Sequence, residues 1–325
     1  MNIKGRNSGY GKTFLFCLLL ALLVAFSCAA TAEEETIVED ISDQLLISNP
    51  LPIDFTGGYA PQADGYKGEL VYEDPTIRVS IEYKDASAYI HGYRGRDAGY
   101  WVVDVEIGDA SQLRTASAFS FDSDSTKPIE AMAEEVNAVV AFNGDYVTRL
   151  NEGLIIRQGK TFRDRLKGKR DVLLIDEDGD FHTILAEEHP EDMDKTQING
   201  KKVVNALCFG PALIKDGKKN ANLDTAPLYS NPDKYKERLV LCQIGHLEYL
   251  VVACGVRRGV TLTEMTDLIL GLGLDVQQAY NLDGGMSTQI LFLGRRINNT
   301  SRTSEDSRKL VDIVYFASAY RPDPQ

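Results

Sequence analysis

Histidine, cysteine and tryptophan are scarce in this chain: four, five and one among 325 residues. The histidines are scattered and no Cys-x-x-Cys pair occurs, so neither a zinc cluster nor a dithiol centre is expected. No glycine-rich nucleotide fingerprint follows a strand, since the run Gly5 to Gly11 sits in the basic N-terminus. Positive charge is also short, with 35 Lys and Arg against 48 Asp and Glu. Such a surface repels nucleic acid at long range, although a local basic pocket can still hold a phosphate. Of the five cysteines, only Cys208, Cys242 and Cys254 lie beyond the first 32 residues. The runs Leu239–Ile244 and Glu248–Cys254 read as a hairpin about Gly245-His246-Leu247. In that register Cys242 faces Leu250 and Cys254 lies near Arg238, a poor geometry for a bridge. All three therefore read as buried, small apolar residues.

What is present begins with an export signal. Lys4, Arg6 and Lys12 precede the apolar run Phe14 to Phe26, and Ala30-Thr31-Ala32 offers a cleavage site before Glu33-Glu34-Glu35. The run is short for a spanning helix, which needs about 20 residues. Three fates remain open: cleavage after Ala32, lipidation at Cys28, or retention of residues 1–32 as an anchor. The expected location is secreted or attached to the cell envelope through the N-terminus. Removing the three basic residues leaves 32 against 48 acidic ones, a net charge of about −16.

Residues 33–65, acidic and then rich in Pro, Gly and Asp, read as a linker or loosely docked arm. Residues 66–320 form one domain and 321–325 a tail. Alternation in Arg78 to Tyr83 and Tyr100 to Ile107, and the run Val311 to Phe316, read as strands. Asp176-Glu177-Asp178-Gly179-Asp180 lacks glycine at the sixth position of a calcium loop, so it reads as an acidic hairpin turn. Two helices are expected. Pro128 opens one over 128–137, with Ile129, Met132, Ala133 and Val136 on one face. The other opens with a capping box at Thr261 and Glu264, carries Leu262, Met265, Leu268, Ile269 and Leu272, and ends at Gly273. Many strands and few helices out of alternation define an α+β class, with mixed sheets flanked by a few helices.

Each helix runs into a glycine-tipped strand. One ends at Asn143-Gly144-Asp145, the other at Asn281-Leu282-Asp283-Gly284-Gly285-Met286-Ser287-Thr288. Adjacent glycines let a backbone approach a ligand closely, and their N–H groups form an anion-binding concavity beside a carboxylate. The same Asp-Gly pair is also a common hairpin turn. A third strand is interrupted by Gly210-Pro211, and Arg238 heads a fourth run, Leu239-Val240-Leu241-Cys242.

These elements in this order resemble the phosphodiester glycosidase family, from about Tyr66 to Tyr320. Leu113-Arg114-Thr115-Ala116, Ile155-Ile156-Arg157, Phe162-Arg163-Asp164 and Arg170-Asp171 add to the resemblance. It implies hydrolysis of the sugar C1–O bond in a sugar-1-phosphodiester, with a carbohydrate or phosphoglycan substrate and no cofactor. The expected catalytic residues are Asp283, Asp145 and Arg238, the arginine gripping phosphate bidentately. Asn143, Gly144, Asn281, Gly284, Gly285, Ser287 and Thr288 are expected to bind substrate, with Arg157, Arg170, Asp171 and Gly210 behind them. The roles of Asp283 and Asp145, as nucleophile and acid or as base and orienter, stay open. Family positions for Thr, Gly, Asp and Gly are here Leu239, Cys242, Cys254 and Met286, which removes a hydroxyl and a carboxylate near the expected cleft. A non-catalytic glycan-binding or exopolysaccharide-assembly protein using the same cleft is the alternative.

Overall fold

The period-two alternation seen in sequence becomes three packed antiparallel sheets in the computed structural model. It describes residue 45 and residues 49–89, 99–146, 153–166, 170–189, 193–224, 231–254, 259–298 and 308–322. All belong to the unit Leu45–Gln325, distinct from Met1–Gln44. The expected signal, Cys28 and the start of the acidic arm lie outside the described residues.

In chain order come β1 (Tyr66–Gly68), β2 (Val71–Asp74), β3 (Ile77–Asp85), β4 (Gly99–Ile107) and β5 (Leu113–Ser117). Helix α1 (Ile129–Glu135) leads into β6 (Ala138–Asn143), then β7 (Gly153–Arg157), β8 (Lys160–Arg165), β9 (Val172–Asp176) and β10 (Phe181–Ile184). Next are β11 (Gln197–Ile198), β12 (Lys201–Leu207), β13 (Ala212–Lys215), β14 (Lys218–Lys219), β15 (Arg238–Gly245) and β16 (Glu248–Cys254). Helix α2 (Leu262–Leu270) precedes β17 (Gln278–Asn281), β18 (Ile290–Phe292), β19 (Arg295–Arg296) and β20 (Asp312–Ala317).

A nine-stranded sheet runs β1-β2-β3-β4-β16-β15-β17-β13-β14. A second runs β10-β9-β12-β7-β8 with β11 on β12, and a third runs β19-β18-β6-β20-β5. Every strand pair among the described residues is antiparallel, so the expected mixed sheets are not found. Where the two helix-fed strands join their sheets, both neighbours run the opposite way: β17 lies between β15 and β13, and β6 between β18 and β20. The chain is strand-rich with two α-helices among the described residues, and α+β describes it only approximately.

Alternation decides which side chains meet. Leu239 and Leu241 of β15, with Tyr249, Val251 and Ala253 of β16, face a core shared with Val140, Phe142 and Val314 of the third sheet. Val240, Cys242, Leu250, Val252 and Cys254 face the other way, onto Leu262, Met265, Leu268 and Ile269 of α2. Helix α1 covers the outer face of the third sheet through Ile129, Met132, Ala133 and Val136. The hairpin register is the expected one, Cys242 opposite Leu250 and Arg238 opposite Cys254, and all three cysteines are free and buried.

The capping box forms: Thr261 Oγ1 accepts the Glu264 N–H at 3.1 Å, and Glu264 Oε2 accepts the Thr261 N–H at 2.9 Å. The helix stops earlier than expected, at Leu270 with Gly271 as its cap. Gly273 instead takes a left-handed turn (φ 73°) beyond it. Residues 50–59, within the stretch read as a loose arm, are docked. The buried Arg114 guanidinium donates to the carbonyls of Pro52 (3.1 Å), Asp54 (2.9 Å) and Thr56 (2.8 Å), and the Tyr59 N–H donates to Ser318 O at 3.0 Å. Leu51 is buried beneath them.

Candidate active site

The two glycine-tipped strand ends meet. At the end of β6, Asn143 Nδ2 donates to Asp283 O at 2.7 Å, and its Oδ1 accepts the Gln289 N–H at 3.1 Å. The Asp283 N–H points back to Gly144 O at 3.4 Å. One asparagine thus clips the turn after β17 to the end of β6, joining the first and third sheets where Asp283 emerges. Gly144 is required by packing, because a Cβ there would fall inside the Asp312 carboxyl.

Asp283 carries the electrostatics of the site. Burial pushes its carboxyl above the usual carboxylate range. The Ser287 hydroxyl, Arg308 and the Gly284 N–H oppose this rise, while Asp145 adds to it. The buried Ser287 hydroxyl is turned towards that carboxyl. Thr288 Oγ1 and Asn281 Oδ1, on residues flanking the Asp283 turn, are buried without a hydrogen bond among the described residues.

Two cations near Asp283 were not singled out from sequence. Arg308 holds its guanidinium 5.5 Å from the centre of the Tyr146 ring, and Lys236 is close enough to feel the Asp283 charge. Burial, Arg238 and Lys234 all lower the Lys236 ammonium, whereas Asp283 raises it. Arg308 gave no signal because it lies in a sequence run of mixed charge, Arg302 to Lys309, with no motif around it.

Asp145 sits deeper and is engaged on both oxygens. Oδ1 accepts from Arg157 Nη2 at 2.8 Å and Oδ2 from the Cys208 N–H at 2.8 Å. Asp312, also missed, brings a second carboxylate to the same arginine, 3.5 Å from Nη2. Asp145, Arg157 and Asp312 are all buried, and burial and the Asp145 charge push the Asp312 carboxyl up to about 8. Asp312 therefore holds its proton at neutral pH. A single charged residue in the apolar run Val311 to Phe316 was the signal available for Asp312.

Other expected site residues hold the surrounding backbone. Arg238 points to the α2 side of its sheet and donates to the carbonyls of Val260 (3.2 Å), Asn231 (2.9 Å) and Lys234 (2.8 Å). Burial lowers its guanidinium to about 10. It pins these loops from the head of β15, and the β15–β17 register, with Val240 opposite Asn281 and Leu239 beside Leu282, continues to set Arg238 opposite Asp283. The expected anion cradle is also spent: Gly284 N–H donates to Asp283 Oδ1 at 2.9 Å, and Gly285 N–H to Glu237 O at 2.8 Å. Asp145 is a buried partner of Arg157 rather than an open second carboxylate. Asn143, expected either to hold sugar hydroxyls or to orient the carboxylates, spends both ends of its amide on the backbone of Asp283 and Gln289.

Around Gly210, Asn281 Nδ2 donates to Gly210 O at 2.8 Å, and Gly210 itself is left-handed (φ 75°). Asp171 accepts the Ala186 and Ala212 N–H groups, both at 2.9 Å, and its carbonyl takes the Tyr280 hydroxyl at 2.8 Å. It staples three segments beneath the site. Arg170 is buried beside Cys208 and Tyr280, and Arg157 also donates to Ala206 O. Of the four departures, Leu239, Cys242 and Cys254 are wholly buried core residues, and only Met286 is exposed, on the Asp283 turn.

Residues 136–317 match the model of the phosphodiester glycosidase family, and the chain belongs to that family. No curated protein matches it in sequence. Among solved structures it is similar to the catalytic domain of zebrafish N-acetylglucosamine-1-phosphodiester α-N-acetylglucosaminidase, auto-inhibited by its pro-peptide. That likeness has 15% identity and a TM-score of 0.58, and covers 80% of this chain and 87% of the other. It is also similar to a hypothetical protein from Synechocystis at 15% identity and a TM-score of 0.54, covering 77% of this chain and 64% of that one. At such identities the likeness shows a shared fold.

Proposed function

We propose that the protein is an extracytoplasmic glycosidase that hydrolyses the sugar C1–O bond of a sugar-1-phosphodiester, with N-acetylglucosamine-1-phosphodiesters as the first candidates. The observation that carries this reading is the buried, raised Asp283 carboxyl at the junction of the two glycine-tipped strand ends, with the Ser287 hydroxyl, Arg308 and Lys236 close enough to act on its charge. Water attacks C1, the C1–O bond breaks, and the electron pair leaves with the phosphate as a phosphomonoester. A carboxylate held above its usual range is a better base, so Asp283 takes the proton of the attacking water. Arg308 and Lys236 neutralise the charge growing on the phosphate, a role first given to Arg238. Asn143 and Gly144 hold the Asp283 turn in register, and the Asp145–Arg157–Asp312 cluster supports the loop behind it.

The test is sugar release from methyl-phospho-GlcNAc and UDP-GlcNAc by the purified protein, beside folded Asp283→Asn and Arg308→Ala. Release by the native protein that falls by about 10²-fold or more in Asp283→Asn supports the reading. No release over a panel of sugar-1-phosphodiesters, with glycan binding intact, returns the chain to the class of non-catalytic glycan-binding proteins. The extracytoplasmic part rests on the N-terminal signal and is checked by fractionating cells that express the full chain.

A further inference from the structure

Arg308 belongs to no strand or helix, yet the structure holds it at both ends. Its carbonyl accepts from Gln289 Nε2 at 2.8 Å, and its guanidinium lies 5.5 Å from the centre of the Tyr146 ring. A carbonyl only accepts, so the nitrogen of the Gln289 amide must be the end that faces it. A long side chain that hangs free loses much rotamer freedom when it meets an anion. Anchors at its base and its tip remove part of that loss beforehand.

Both anchors stand on fixed frames. Asn298 braces the backbone around Gln289: its Oδ1 accepts the Ile290 N–H at 2.7 Å and its Nδ2 donates to Thr288 O at 2.8 Å. The Gln289 N–H goes to Asn143 Oδ1, and the other end of that amide holds Asp283 O. One asparagine thus sets both the carboxylate turn and the residue that carries Arg308. Tyr146 follows Asp145, whose carboxylate is engaged on both oxygens, and takes a left-handed backbone (φ 58°). An aromatic residue adopts that conformation at a cost, and such strain gathers where a side chain has to be aimed. Here the ring is aimed at a guanidinium, inside the reach of about 6 Å over which a cation and a ring face attract. A glutamine that served the fold alone would use its whole amide. Gln289 is fully buried, and its Oε1 has no hydrogen bond among the described residues. A buried acceptor left unpaired is destabilising, and methionine or leucine would fill the space without that penalty. What glutamine adds at this position is the bond to Arg308.

We propose that Gln289 and Tyr146 are positioning residues, one fixing the Arg308 backbone and the other its guanidinium, so that the arginine meets the substrate phosphate beside Asp283. This rests on the glycosidase reading for the phosphate, but its test reads anion binding and needs no turnover. The full protein is titrated calorimetrically with methyl phosphate, beside Gln289→Met, Tyr146→Leu, Tyr146→Phe, Arg308→Ala and the double variant of Gln289→Met with Arg308→Ala. Gln289→Met and Tyr146→Leu should each weaken binding about five- to tenfold. Tyr146→Phe, which keeps the ring face, should retain most of the affinity. Once Arg308 is alanine, adding Gln289→Met should weaken binding by less than about twofold, because the two residues act through one contact.

Native affinity in a Gln289→Met variant that melts like native protein, or losses that simply add in the double variant, overturn the positioning role. So does a Gln289→Met chain that does not fold, since the amide then serves the fold. Sugar release from methyl-phospho-GlcNAc by a native protein that does not bind methyl phosphate, or by Gln289→Met at the native rate, sinks the proposal and leaves the enzyme. Methyl phosphate binding that depends on Gln289 and Tyr146, without any sugar release, keeps the proposal and sinks the glycosidase reading.

Discussion

At the scale of single residues, the site turns on which groups are already spent. Arg238 uses its guanidinium on backbone carbonyls, and the Gly284 and Gly285 N–H groups are satisfied within the turn. The charges that reach Asp283 come from Arg308, Lys236 and Asp145. Arg308 lowers the Asp283 carboxyl, so Arg308→Gln should raise it further and move the acid limb of the pH–rate profile to higher pH. An unmoved limb removes Arg308 from the site.

Asp312 gives a second titration, read in stability. Its carboxyl holds a proton in the fold up to about pH 8, whereas an unfolded aspartate ionises near 3.9. The folded form therefore binds more protons over that window. The stability tied to this group is complete below about pH 4 and is lost as pH rises towards 8. Asp312→Asn, which stays neutral and keeps the shape, should flatten the decline of the urea midpoint between pH 5 and 8. An equal slope in both proteins would show that Asp312 is ionised throughout.

At the scale of elements, the helix–strand–glycine units were legible because their signals are local. Thr261 and Glu264 lie within one turn, and the Cys242–Leu250 register follows from a tight hairpin. Thr261→Ala should cost about 1 kcal/mol in denaturant unfolding, with activity unchanged. What was not legible is how the two strand ends are joined. The Asn143 to Asp283 bond spans 140 residues between two sheets, and no spacing rule foretells it. Nor does the sequence tell that Arg238, at the head of the strand beside the Asp283 turn, will hold the Val260, Asn231 and Lys234 carbonyls. Asn143→Ala leaves the Asp283 carbonyl and the Gln289 N–H without their partner. It should cost about 2–3 kcal/mol and lower sugar release, whereas Asn143→Asp should partly restore the acceptor side. Full activity in Asn143→Ala would deny the clip any part in holding Asp283.

At the scale of the whole molecule, three antiparallel sheets share a core, each helix seals an outer sheet face, and the segment 50–59 is strapped down by a buried arginine. Composition foretold a loose arm, because Pro, Gly and Asp dominate there. Three carbonyls converging on Arg114 from sixty residues away are invisible to composition. Arg114→Met should expose residues 50–59 to limited proteolysis while the rest of the domain stays protected. Resistance equal to that of the native protein would mean that Leu51 and Tyr59 suffice to hold the strap.

The central claim is that Asp283 directs water to the sugar carbon rather than to phosphorus. Hydrolysis of methyl-phospho-GlcNAc in heavy-oxygen water, with mass analysis of both products, tests it directly. The label is predicted in the released sugar, with unlabelled methyl phosphate beside it and neither product formed by Asp283→Asn. Label in the phosphate product, or undiminished turnover in Asp283→Asn, would contradict the account.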